Sequence, residues 1–145
     1  MSTRDYDAAI ELIDDSQELS DFAGPRDESL ISAAETALGV QYPEPYRWFL
    51  RSYGAGSFGS IEIMGVISRS WEDSSVPDGV WYTLNERRES SLSTNFVVIG
   101  EDGGGGLYLL NCEDGAVYVT ASDDPERLAE SFGAFLLEQV TSEIE

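Results

Sequence analysis

Apolar residues recur along this chain in two rhythms. Tyr6, Ile10 and Ile13 form an i, i+4, i+7 stripe in an acidic segment, which predicts an amphipathic helix over residues 5–21, broken by Ala23-Gly24-Pro25. A second helix is expected over 28–38, with Ile31, Ala34, Glu35 and Leu38 on one face and Gly39 as its C-terminal stop. Pro43-Glu44-Pro45 then opens a third helix, because proline fits a first turn whose amides lack partners anyway. Tyr46, Phe49, Leu50 and Tyr53 line its apolar face, and Gly54 ends it.

After the Ala55-Gly56-Ser57 loop the rhythm changes to period two. Ile61, Ile63 and Gly65 alternate in a strand expected over 58–67, and the β-branched run Phe96-Val97-Val98-Ile99-Gly100 is short enough for a buried strand. Residues 107–110 and 116–120 flank Glu113-Asp114-Gly115, and Asp-Gly between two such runs signals a hairpin. Between these strands Val80, Leu84 and Arg87-Arg88 suggest a helix after Pro77-Asp78. A closing helix is expected from an Asp124 N-cap, with Leu128, Phe132, Phe135, Leu136 and Val140 on its core face. Helices first, then strands joined by hairpins, then a helix argue for an α+β fold with an antiparallel or mixed sheet. With 145 residues, no internal repeat and no long linker, one domain over 1–145 is expected.

Charge adds the next constraint. Twenty-eight acids face eight basic residues, all arginine, for a net charge of −20, and residues 101–145 alone hold 11 acids and one arginine. Such a surface repels phosphate backbones, so direct nucleic-acid binding is not expected, whereas a basic protein would be steered toward it. Salt adaptation, or a genome that favours arginine over lysine, would leave the same composition. No stretch approaches the roughly 18 continuous apolar residues of a membrane helix, and MSTRDYDAAIELIDD lacks the basic and apolar regions of a secretory signal. With the single Cys112, which sits in an apolar run and reads as an inert buried thiol, this points to the cytoplasm.

Three segments resemble the SUKH superfamily, which includes the SMI/KNR domain of fungal cell-wall regulators. The first is Ile31–Leu50, where Leu38-Gly39, a short link, Pro43-Glu44 and Tyr46-Arg47-Trp48-Phe49-Leu50 precede the turn Tyr53-Gly54-Ala55-Gly56. The second runs from Phe96-Val97-Val98-Ile99-Gly100 through Glu101-Asp102 and Gly103–Gly106 to Leu107-Tyr108. The third is Ser131-Phe132-Gly133-Ala134-Phe135-Leu136. The chain departs from the family's habit of an acidic residue at the end of the glycine loop, where it has Gly106, and after the next strand, where it has Asn111. The resemblance implies a binding domain: its bacterial members are immunity proteins that block a toxin domain, often a nuclease, and the fungal ones are regulatory scaffolds. A nuclease site is commonly basic, so an acidic inhibitor would match it.

The residues themselves offer little chemistry. Without histidine or lysine there is no Ser-His or Cys-His pair and no Schiff base, so no enzyme, cofactor or metal site is expected. A carboxylate pair for glycoside cleavage is formally available, but nothing singles out two acids. The glycine run 103–106 reads as turn chemistry, because a strand follows it and Glu101 and Asp102 would repel an anion. Clusters such as Asp14-Asp15, Glu113-Asp114 and Asp123-Asp124 lack the spacing of a calcium loop. Trp48 is expected in the core. Trp71 and Trp81 flank an acidic stretch, and tryptophans beside acids suit an interface anchor within a charged rim as well as they suit the core's edge. Trp71, Glu72, Asp73, Asp78, Glu101 and Asp102 are therefore the expected partner-facing set.

Overall fold

The computed structural model describes residues 3–68, 78–120 and 124–145. Among them lie five α-helices and two antiparallel sheets, an α+β fold with helices leading and closing the chain.

Helix α1 (Arg4–Asp15) buries Tyr6, Ala9 and Ile13. It stops well short of the expected end at residue 21. Beyond Ile13 the run Asp14–Glu18 offers no further apolar position, and the Gln17 side-chain amide donates to the Ile13 carbonyl at 3.1 Å, closing the last turn. After a 3-10 turn (Gln17–Leu19) the chain extends into strand β1 (Ser20–Phe22). That strand swings Phe22 onto the rings of Tyr53 and Phe49, at 4.8 and 5.9 Å.

Helix α2 (Glu28–Leu38) has the expected ends: Asp27 accepts from the Leu30 amide at 2.9 Å, and Gly39 terminates it in the left-handed conformation. Helix α3 (Glu44–Ser52) carries Pro45 in its first turn and buries Tyr46, Phe49 and Leu50. Its Tyr46 hydroxyl donates to the Met64 carbonyl at 2.8 Å, so a buried phenol is satisfied while its ring packs on Phe132.

The single strand expected over 58–67 is a hairpin instead, β2 (Gly56–Phe58) and β3 (Ile61–Ile63). Gly59 turns the chain at φ +62°, a conformation costly for residues with a Cβ. Strands β1, β2 and β3 form one three-stranded sheet. Helix α4 (Gly79–Ser90) follows, and strands β4 (Phe96–Glu101), β5 (Leu107–Asn111), β6 (Val117–Val119) and β7 (Glu126–Ala129) form a separate four-stranded sheet. The single expected sheet is thus two, joined where the Met64 amide donates to the Ile99 carbonyl at 2.9 Å.

Helix α5 (Phe132–Ile144) begins later than expected, with Ser131 rather than Asp124 as its N-cap. Residues 126–129 pair with β6 as an edge strand, which leaves Leu128 38% exposed instead of in the core. Helix α1 lies close on α5, and a side chain at Gly133 would press on the Tyr6 backbone. The main core gathers α1, α3 and α5 over Val97, Ile99, Leu110 and Val117. Val98, Leu109 and Met64 form a second small cluster, so both faces of β4 are buried and its sequence reads as an unbroken apolar run.

Candidate functional site

The three-stranded sheet places Asp21, Ser57 and Glu62 opposite one another across β1, β2 and β3. Directly opposed residues share a face, and here that face is the outer one: Asp21 and Glu62 are exposed, while Phe58 and Ile63 turn inward. The next sheet continues the line. A Cβ on Gly100 would sit 3.0 Å from the Glu62 carbonyl, so glycine lets β3 lie against the end of β4 and brings Glu62 beside Glu101.

Asp102 follows and organises the glycine loop. Its carboxylate accepts from the amides of Gly104 and Gly106 at 2.7 and 2.9 Å, and its own amide donates to the Gly106 carbonyl at 3.0 Å. Gly103 and Gly105 hold positive φ, as such a tight turn requires. Two of the amides that a phosphate would need are already bound to a carboxylate, so the loop is a turn and not an anion cradle. Glu101 accepts from the Tyr82 hydroxyl at 2.8 Å. Partial burial, then that bond, pushes the Tyr82 phenol up to about 12.

Two hollows lie along this acidic row. One, of about 370 Å³, is walled by Ile61, Ile63, Tyr108 and Phe135, with Glu62, Glu101 and Asp102 around it. The other, of about 270 Å³, is lined by Asp21, Phe22, Gly56, Ser57 and Ile67, and by Glu62 again. Among the described residues no arginine lines either hollow. Several arginines are spent elsewhere: Arg47 bridges Glu28 and Glu35 at 3.0 and 3.2 Å, and Arg51 reaches Glu28 at 3.0 Å. Arg26 and Arg87 donate to main-chain carbonyls of Val66 and Leu38. The row therefore keeps its charge, at small cost because exposed like charges in water repel by only about 1 kcal/mol at contact distances.

Of the residues expected at a partner surface, Glu101 and Asp102 are exposed and adjacent in this row. Trp71, Glu72 and Asp73 lie outside the described residues. Asp78 is a correction: it is fully buried, and its carboxylate accepts from the amides of Val80 and Trp81 at 2.9 and 3.0 Å as the N-cap of α4. An Asp-Gly pair at a helix start serves the helix first. Trp81 is half-buried with its ring edge-on to Tyr82, and Trp48 packs on Tyr6 at 5.3 Å between ring centres. Asp21 and Glu62 escaped the sequence reading. The Ile61-Glu62-Ile63 alternation does point Glu62 outward, but only the sheet register joins it to Asp21 and Glu101.

Among the described residues the lone thiol is not an activated nucleophile. Cys112 is half-buried, and burial, with Glu35 nearby, pushes its thiol up to about 12, away from reactivity. Among the described residues no group of His, Cys, Asp or Glu is placed to hold a metal ion, and no helix is long and apolar enough to cross a membrane. A SUKH family model, described as SMI1-KNR4 cell-wall, matches residues 7–141. No curated protein matches the chain.

Proposed function

The chain belongs to the SUKH family of SMI1-KNR4 domains, and from that membership we propose that it is an immunity protein that binds and neutralises a toxin domain. SUKH domains bind other proteins, and many of them act in immunity. The observation that carries the reading for this chain is the row Asp21, Glu62, Glu101 and Asp102, four acids across two hollows that no described arginine lines. With a net charge of −20 behind it, such a row suits a basic partner, which points to a nuclease whose active site must hold phosphates. Neutralisation would be occlusion, with no chemistry, cofactor or metal of its own. It would act in the cytoplasm of the protected cell, where the toxin arrives.

A regulatory scaffold that binds cell-wall or signalling proteins is the second reading, favoured by the description attached to the matching family. The two separate on co-expression with the C-terminal domain of a toxin encoded in the adjacent gene. Growth should be restored by the native chain. It should be restored poorly by the triple variant Asp21→Asn, Glu62→Gln, Glu101→Gln, which leaves Asp102 to hold its loop. Continued killing despite soluble, folded chain would remove the immunity reading.

A further inference from the structure

The two hollows share one residue. Glu62 stands between the 370 Å³ hollow beside the glycine loop and the 270 Å³ hollow over β1 and β2. Each pairs apolar wall with carboxylate: Ile61 and Phe135 beside Glu101 and Asp102 in the first, Phe22 and Ile67 beside Asp21 in the second. That pairing matches a long cationic side chain, whose alkyl stem lies on apolar surface while its charged head meets carboxylate. A compact metal ion would gain nothing from the apolar walls. Ser57, which stands between Asp21 and Glu62 in the register, lines the second hollow with them.

We propose that the hollows work as a pair, each taking one arginine or lysine side chain from a single extended segment of the partner, with Glu62 serving both. The inference rests on the reading that the partner is a basic protein, and it adds a spacing. Neighbouring strands lie about 4.8 Å apart, and same-side residues of an extended segment recur about every 7 Å. The two cations should therefore sit two positions apart, on one side of a segment that crosses the strands instead of adding to their edge.

The test uses ¹⁵N-labelled full-length chain at low ionic strength, titrated with blocked peptides carrying one arginine, two arginines with one glycine between, or glutamine in their place. A two-arginine peptide should bind about tenfold more tightly than the one-arginine peptide, since the second contact is made at high effective concentration. Amide shifts should fall on Ser57, Glu62, Glu101 and Gly103. Glu62→Gln should reduce the gain from the second arginine to under about threefold, while Glu11→Gln, an exposed acid on α1, should leave it intact. A gain that survives Glu62→Gln, or shifts spread over α1 and the other acidic faces, would overturn the pairing. Toxin neutralisation together with a surviving gain sinks the pairing and spares the immunity reading; the expected peptide result with continued killing does the reverse.

Discussion

Ser91 ends α4 in the left-handed conformation, at φ 55°, and it is the one described residue other than glycine with positive φ. A Cβ there costs roughly 1–2 kcal/mol, part of which glycine returns through its freer unfolded chain. Ser91→Gly should therefore raise stability by up to about 1 kcal/mol, read as a higher urea midpoint with an unchanged slope. An unchanged or lower midpoint would show that the turn is held by something other than its backbone. The opposite end of the same helix shows how a residue is misread. Asp78 ends an acidic stretch, and acids in series look solvated, but its carboxylate is buried against two helix amides. Composition describes a neighbourhood; a cap is decided by one hydrogen-bond geometry that composition does not contain.

The link between α2 and α3 was legible because its signals are local: a Gly39 stop, a proline-marked start and an i, i+3, i+4 stripe all lie within a few residues. What holds that link was not. The Glu35 carboxylate accepts from the Tyr42 amide at 2.7 Å and from Arg47 at 3.2 Å, clamping the two helices with both side chains 14% exposed. Glu35→Ala leaves a largely buried guanidinium and an amide without that acceptor, and should cost about 2 kcal/mol in urea unfolding. A loss within about 0.5 kcal/mol would mean the clamp is replaceable by water. The strands were read less well, since several have only three residues, too few to show a period, and β1 finds its partner β2 only beyond helices α2 and α3. The β2–β3 turn is similarly tied by a remote contact: Glu143 on α5 accepts from the Ser60 amide at 2.6 Å and from its hydroxyl. Those bonds hold the Glu143 carboxyl below its usual 4.5, so its contribution is complete above that pH and is lost as pH falls through the lowered value. The stability gap between native chain and Glu143→Gln should be constant from pH 7 to about 5 and close below about 4. A gap that persists at pH 3 would assign it to packing.

Charge acts on the fold and on the partner with opposite signs, and salt separates the two. A net charge of −20 on 145 residues repels itself, and the compact state feels that more than the expanded one. The arginines near α2 and α3 relieve it locally, where Glu28, Arg47 and Arg51 form a small network, but the row from Asp21 to Asp102 keeps it. Screening shortens the reach of these charges from about 30 Å at 0.01 M to about 8 Å at 0.15 M. Raising salt across that range should therefore increase unfolding stability, while association with a basic partner slows and weakens. The Asp21→Asn, Glu62→Gln, Glu101→Gln variant should flatten both trends, the association trend far more, because it removes three of 28 acids but three of the four in the row. Stopped-flow association and urea unfolding on the same two proteins give the comparison. If the variant's association keeps the native salt slope, the partner is steered by the general field of an acidic molecule and the row has no special part in it.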